Sequence, residues 1–228
     1  MFVALNRFMK KIPVYFMPGL AASPSIFERI KLPEDQFEMV LLEWQIPYEN
    51  ETLVAYAERI AAQVNLPDPV LVGVSFGGIL VQEMARFVAA KKVIIISSVR
   101  CNAQFPRRMK VTKMLRAYKL IPTDVVGKIE RLAKLSGSQL VRERMKLYDK
   151  FLSVRDDRYF QWAIRNVILW DRKEIDPSVV HIHGDADEVF PIRYIQGCHV
   201  VKGGTHIMIL NKFRWLNEHL PKIIRGEE

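Results

Sequence analysis

Short, largely apolar runs recur along the first hundred residues, and Gly, Pro or polar residues end each of them. The runs cover residues 12–17, 37–42, 70–74 and 92–97. Consecutive apolar positions are typical of strands that are buried on both faces, as in a parallel sheet. Between the runs, helical spacing of apolar residues predicts one helix over 52–64, capped by Thr52, and another over 78–87.

This alternation stops after the fourth run and resumes only near Ser178. Residues 106–170 are rich in Arg, Lys, Leu and Met and predict helices instead. Two further strands are predicted at 179–183 and 198–201, and a helix is predicted over 213–224. Strands that alternate with helices predict an α/β protein with a mostly parallel, doubly wound sheet.

The chain has 228 residues, which is enough for one substantial hydrophobic core and short for two. We therefore expect one α/β core, formed by residues 1–98 and 177–228, with residues 99–176 inserted as a helical cap. The insertion carries the positive charge. Residues 100–173 contain nineteen Lys and Arg against seven Asp and Glu, in a chain whose net charge is +9.

The most informative local pattern lies between the third predicted strand and the helix that follows it. Gly73, Ser75 and Gly77 form a G-x-S-x-G frame there. In a nucleophile elbow the turn is so tight that the positions two before and two after the serine favour glycine. The N–H groups at the start of the next helix then face the reacting oxygen. The frame therefore makes Ser75 a candidate nucleophile.

A serine hydroxyl becomes a good nucleophile when a base takes its proton, and an acid must orient that base. Two later loops, each at the end of a predicted strand, supply candidates. The first loop holds Asp185 and Asp187, and the second holds His206. Open α/β sheets place their ligand chemistry at the carboxyl ends of the strands, so these loops are well placed to meet Ser75.

Together these motifs resemble the α/β-hydrolase fold superfamily, and within it a small serine hydrolase with a helical cap. The likeness runs from the Pro-Gly loop after the first strand to Gly-Gly-Thr-His near the end of the chain. It implies Ser75 as nucleophile and His206 as base. The family pattern His-Gly-x-x-Asp favours Asp187 as the orienting acid, with Asp185 as the alternative. The substrate stays open, because this fold hosts many activities.

The same resemblance implies an oxyanion hole made of two backbone N–H groups. We expect one from Phe76 and the other from Leu20. Many relatives begin the loop after the first strand, which contains Leu20, with His-Gly. This chain has Pro18 and Gly19 at that place. A backbone donor survives that change, and Gly19 still lets the substrate approach closely. Trp44 is a candidate substrate contact, although core packing explains it equally well.

Two other residue types could indicate metal or disulfide chemistry. His181 and His183 are two residues apart on one predicted strand and so share a face, as a metal-binding pair would. Because that strand is apolar and no carboxylate accompanies the pair, we interpret both as packing residues and predict no metal and no cofactor. Cys101 and Cys198 have no C-x-x-C spacing, which argues against a zinc site or a disulfide framework and fits a reducing compartment.

The apolar runs also bear on location. None reaches the roughly eighteen residues that span a bilayer. The run nearest the N-terminus is interrupted by Pro13, Pro18 and Gly19, so it does not fit a signal peptide. We therefore expect a cytoplasmic protein without stable membrane insertion.

The basic insertion has two interpretations. Its positive side chains either attract an anionic substrate or a membrane surface, or they form the solvated face of cap helices, which we favour. The residues concerned are Arg107, Arg108, Lys110, Lys113, Arg116 and Lys119. No recognition motif accompanies the charge, so we expect no nucleic-acid partner. The sequence does not determine the oligomeric state.

The expected reaction is acyl transfer from an ester or thioester to water. A small or medium hydrophobic acyl substrate would fit a site that a helical cap covers. Two alternatives remain open at this stage: a lyase or acyltransferase that uses the same three residues, and a ligand-binding protein of this fold that turns over slowly or not at all.

Overall fold

The structure, a computed structural model, describes residues 10–116, 150–152 and 154–228. Six strands form one sheet in the order β2-β1-β3-β4-β5-β6, and every neighbouring pair is parallel. The strands are β1 (Ile12–Met17), β2 (Phe37–Leu41), β3 (Val70–Val74), β4 (Lys92–Ile96), β5 (Val179–Gly184) and β6 (His199–Val201). The predicted α/β class and doubly wound sheet are therefore confirmed.

Helices cover the sheet on both faces. Among the described residues they are α1 (Leu53–Ala61), α2 (Phe76–Met84), α3 (Arg107–Met114), α4 (Asp157–Leu169), α5 (Met208–Asn211) and α6 (Phe213–Arg225). Thr52 caps α1 as predicted, because its side chain accepts a hydrogen bond from the N–H of Ala55 at 3.2 Å. Short 3₁₀ helices lie at Pro24–Phe27, Asn102–Gln104 and Ile192–Tyr194.

The sheet divides the apolar interior into two layers. Consecutive residues of β1 point to opposite faces: Tyr15 and Met17 belong to one buried cluster, and Val14 and Phe16 to the other. The first cluster also takes in α1, α2 and α4, and the second takes in α5 and α6. This two-sided burial explains why the strands are apolar at consecutive positions.

The described part of the inserted segment packs on the first of these layers. In α4, Tyr159, Phe160 and Ala163 are buried in the same cluster as residues of α1 and α2. Just before α4, Leu152 forms an antiparallel bridge with Ala22 of the loop after β1. Much of the helical stretch predicted for 106–170, including Lys119, lies outside the described residues, so the cap and its boundaries stay a prediction.

Within the described ranges, the structure has no helix of the length and apolar character that crossing a bilayer requires.

Candidate active site

The turn between β3 and α2 holds Ser75 in an unusual backbone conformation, with φ 53° and ψ −117°. Packing explains the two flanking glycines. A Cβ at Gly73 would lie 2.3 Å from the carbonyl oxygen of Gly77, and a Cβ at Gly77 would lie 2.3 Å from that of Pro18. Both distances are far below contact, so only glycine fits. A non-glycine residue held in such a region typically costs about 1–3 kcal/mol, which the surrounding packing must offset.

The end of β4 supports this turn from one side. Ser98 donates a hydrogen bond from its hydroxyl to the carbonyl of Ser75 at 2.7 Å. The same carbonyl accepts the backbone N–H of Gly78 at 2.9 Å. Gly78 must lack a side chain here, because a Cβ would lie 2.6 Å from the Cβ of Ser98. Backbone packing and the Ser98 side chain therefore fix the elbow together.

Three side chains from separate loops form one hydrogen-bonded chain. Ser75 Oγ lies 2.9 Å from His206 Nε2, and His206 Nδ1 lies 2.9 Å from Asp187 Oδ2. With the Nδ1 proton donated to the carboxylate, Nε2 carries the lone pair that faces the Ser75 hydroxyl. The arrangement therefore fits an imidazole that takes a proton from an alcohol and a carboxylate that orients it.

The carboxylate of Asp187 is buried, with 3% of the residue exposed. Its second oxygen, Oδ1, accepts the backbone N–H groups of Val189 and Phe190 at 2.8 and 2.9 Å. Burial alone would raise the pKa of Asp187, but the hydrogen bond and charge of His206 outweigh it, and the pKa lies below its ordinary value. The group is therefore ionised at neutral pH and can stabilise a protonated His206.

Asp185, the alternative candidate acid, binds a backbone N–H group instead of His206. Asp185 accepts the backbone N–H of Gly203 at 2.6 Å and is exposed. This bond fixes the turn that leads to His206. Of the two carboxylates in this loop, Asp187 is the one that the structure brings to His206.

The two predicted oxyanion donors lie on either side of Ser75. Phe76 follows it at the first position of α2, where a helix N–H has no partner within the helix. Leu20 lies in the loop after β1, beside Gly19, where a built Cβ would be 3.6 Å from the Cβ of Ser75. In the part of the chain that the structure describes, neither N–H donates to a protein acceptor. Both are free to bind an anionic oxygen.

Trp44 is 6% exposed and packs beneath this loop. Its indole Nε1 donates to the carbonyl of Gly19 at 2.6 Å, and its ring stacks on that of Phe76 with centroids 5.0 Å apart and an interplanar angle of 7°. Through these contacts Trp44 packs against both the loop after β1 and the start of α2. Direct contact of Trp44 with a substrate stays a prediction.

The paired histidines of β5 are hydrogen-bonded to each other. His181 Nε2 lies 3.1 Å from His183 Nδ1, and His183 Nε2 lies 2.8 Å from the carbonyl of Phe190, in the loop that holds Asp187. Burial lowers the pKa of both, and that of His181 lies well below its usual value. In the described ranges no group of three or more His, Cys, Asp or Glu side chains gathers as metal ligands would. The pair connects β5 to the acid loop.

The inserted segment contacts the loops on both sides of Ser75, a feature that the sequence did not indicate. Arg108 in α3 donates to the carbonyls of Glu188 and Val189 at 2.7 and 2.8 Å. On the opposite side, the hydroxyl of Tyr159 in α4 accepts the backbone N–H of Ala21 at 3.0 Å. No spacing rule connects residues this far apart, so sequence reasoning missed both.

Two of the basic side chains in α3 have nearby partners. Lys113 pairs with Asp171 at 3.2 Å, and Lys110 donates to the carbonyl of Ala103 at 2.8 Å. Lys110 is exposed and Lys113 is half-buried, so this helix face is at least partly solvated.

A parallel α/β sheet with a strained serine turn at a strand end, and with His and Asp on two later strand-end loops, defines the α/β-hydrolase fold. The sequence profile of the alpha/beta hydrolase family matches residues 15–218. The chain belongs to this family.

Solved structures agree with this assignment. An esterase from Thermogutta terrifontis superposes with a TM-score of 0.67 at 14% identity, covering 95% of this chain and 90% of that one. A structure from work on carboxylesterases of Nitrososphaera gargenis gives 0.66 at 13% identity, with 96% and 93% covered. A hydrolase from Pseudomonas aeruginosa PA01 gives 0.66 at 14% identity, with 95% and 90% covered. No curated protein matches the sequence. At these identities the likeness shows the fold alone.

Proposed function

We propose that this protein is a serine hydrolase that transfers the acyl group of an ester or thioester to water. The observation that carries the proposal is the hydrogen-bonded chain from Ser75 through His206 to Asp187, with 2.9 Å at each step. The free N–H groups of Phe76 and Leu20 beside Ser75 support it, because acyl transfer develops negative charge on a carbonyl oxygen.

In the first step Ser75 Oγ attacks the carbonyl carbon of the substrate, and its proton passes to His206 Nε2. The C=O π electrons move onto the oxygen, which the N–H groups of Leu20 and Phe76 bind. The tetrahedral intermediate then collapses and the bond to the leaving alcohol or thiol breaks. His206 gives its proton to that group, and Ser75 is left acylated.

In the second step a water molecule attacks the acyl carbon while His206 takes one of its protons. The second tetrahedral intermediate expels Ser75 Oγ, which regains its proton from His206, and the carboxylic acid leaves. Asp187 stays ionised throughout and stabilises the imidazolium each time it forms. These roles need no cofactor.

We propose a small or medium hydrophobic acyl group as the substrate. Support comes from apolar side chains that the structure leaves partly exposed beside the reacting residues. Val189 lies in the loop that holds Asp187 and is 39% exposed, and Ile207 follows His206 and is 46% exposed. Exposed apolar groups around a reactive serine favour an apolar ligand over a charged one.

The two free cysteines, Cys101 and Cys198, support a reducing, cytoplasmic location.

A fluorophosphonate probe tests the activated serine directly, because it labels a serine only when a base is in place. We expect labelling of the wild type and none of Ser75→Ala. Ser178→Ala changes an exposed serine whose hydroxyl donates to Asp176 at 2.6 Å, and it serves as the matched control. Wild-type protein that resists the probe and leaves p-nitrophenyl esters and acyl thioesters of every chain length intact would overturn the proposal.

A further inference from the structure

We propose that Trp44 and Tyr159 are positioning residues that aim the Leu20 N–H at the oxyanion, an inference that rests on the proposed function. Neither touches the reacting atoms. Both hold the turn formed by residues 19–22, which is closed by a hydrogen bond from the N–H of Ala22 to the carbonyl of Gly19 at 3.0 Å. Because Leu20 lies inside this turn, the turn's orientation sets the direction of its N–H.

Trp44 acts on the peptide unit that carries the donor. The carbonyl of Gly19 and the N–H of Leu20 belong to one planar trans peptide, so they point in opposite directions. Trp44 Nε1 holds that carbonyl at 2.6 Å. The N–H of Leu20 is thereby directed away from the indole, and it has no hydrogen-bond acceptor among the described residues. The same indole stacks on Phe76, whose N–H is the second donor, so one ring supports both halves of the oxyanion hole.

Tyr159 acts on the next peptide unit. Ala21 has a φ of 56°, in the left-handed region that residues with a Cβ rarely adopt. A rotation of the peptide between Leu20 and Ala21 would relieve this conformation. The Tyr159 hydroxyl accepts the N–H of Ala21 at 3.0 Å and so opposes that rotation. Tyr159 is fully buried, and its ring meets that of Trp44 edge to face with centroids 5.5 Å apart, so the hydroxyl is rigidly placed.

Backbone contacts from the inserted segment support the same turn. The N–H of Ser23 donates to the carbonyl of Phe151 at 2.6 Å, and the N–H of Val154 donates to the carbonyl of Ala21 at 3.4 Å. These bonds make Phe151 and Val154, together with Tyr159, part of the oxyanion hole's scaffold. The described residues of the inserted segment therefore contribute to the geometry of the reaction as well as packing on the core.

The sharpest test removes one hydroxyl at a time. Tyr159→Phe deletes the acceptor for Ala21 and keeps the ring. Tyr56→Phe makes the same change in the same aromatic cluster, where the hydroxyl is hydrogen-bonded to the backbone of Gln45, and is the matched control. Losing an oxyanion donor outright costs about 10²–10³ in kcat. For a misdirected donor we expect kcat to fall about tenfold or more in Tyr159→Phe, with KM changed less than about twofold. Tyr56→Phe should change neither by more than about twofold.

A second readout separates positioning from simple destabilisation. A trifluoromethyl ketone adds Ser75 Oγ to its carbonyl carbon, the proton passes to His206, and the carbonyl oxygen becomes an anion in the oxyanion hole. Its inhibition constant should rise in Tyr159→Phe by about the factor lost in kcat/KM. The thermal midpoint is measured on the same samples.

If Tyr159→Phe does not fold, Trp44→Phe replaces it, because it removes the indole N–H while keeping an aromatic ring. The inference is overturned if the test variant, Tyr159→Phe or Trp44→Phe, has the same kcat and the same inhibitor affinity as Tyr56→Phe. The proposed hydrolysis would still stand. A wild type that neither reacts with a fluorophosphonate nor turns over esters overturns both.

Discussion

The elbow around Ser75 and the turn at residues 19–22 flank the same reacting position, yet they are held in different ways. In the elbow, the backbone of Gly73 touches that of Gly77 so closely that no Cβ fits. In the turn, the conformation depends on side chains from elsewhere in the chain, Trp44 and Tyr159. Backbone packing leaves few alternatives, whereas a side-chain hydrogen bond can be removed on its own. The two halves of the site should therefore respond differently to substitution.

The largest effect is expected where a distant side chain completes the site. Asp187→Asn keeps the shape of the side chain but removes the charge that orients and stabilises His206. We expect kcat to fall by about 10³–10⁴, measured on the best p-nitrophenyl ester. Asp185→Asn, which alters only the turn bond to Gly203, should lose less than about tenfold. A larger loss in Asp185→Asn than in Asp187→Asn would reverse the two assignments.

The next prediction compares how glycine substitutions in the elbow and in the turn at residues 19–22 change the free energy of unfolding. In Gly73→Ala the new methyl group would lie 2.3 Å from backbone, so we expect a loss of about 3 kcal/mol in the free energy of unfolding, measured with urea. In Gly19→Ala the nearest atom would be 3.6 Å away, and the loss should stay below about 1 kcal/mol. Similar losses in both variants would show that the elbow is no more tightly packed than the turn.

A smaller effect concerns pH and the buried histidine pair. Burial, followed by the charges of His183 and Arg100, lowers the pKa of His181 in the folded state. The unfolded chain then binds the proton more readily, so this contribution to stability is present above about pH 6.5 and is lost as the pH falls toward the folded pKa. Each proton contributes at most about 1.4 kcal/mol per pH unit. We expect His181→Gln to lose less stability than the wild type between pH 7 and pH 5 in urea titrations. An unchanged slope would contradict this.

The smallest effect is expected from the side-chain hydrogen bond of Ser98 to the elbow. Ser98→Ala removes the hydroxyl that donates to the carbonyl of Ser75, but two backbone N–H groups still bind that carbonyl. We expect a loss of about 1 kcal/mol in stability and less than about threefold in kcat. A loss of activity in Ser98→Ala as large as that in Tyr159→Phe would remove the difference between the two segments.

Much of the fold could be predicted because its signals are local. The apolar runs predicted all six strands, and no observed end differs from the predicted one by more than one residue. The elbow helix begins at Phe76, two residues before the predicted start at 78, and ends at Met84 instead of 87. Backbone hydrogen bonding at the ends of helices depends on neighbouring loops, which a periodic pattern does not report.

The sequence alone determined the α/β class and made Ser75 the candidate nucleophile, because strand burial and the glycine frame follow from sterics within a few residues. The family pattern favoured Asp187 over Asp185, but only the tertiary structure brings Asp187 to His206 and places Trp44 and Tyr159 against the turn beside Ser75. Ala21 and Tyr159 are 138 residues apart in the chain. A contact over that distance depends on how the sheet, the loop and α4 pack together, and no local spacing encodes it.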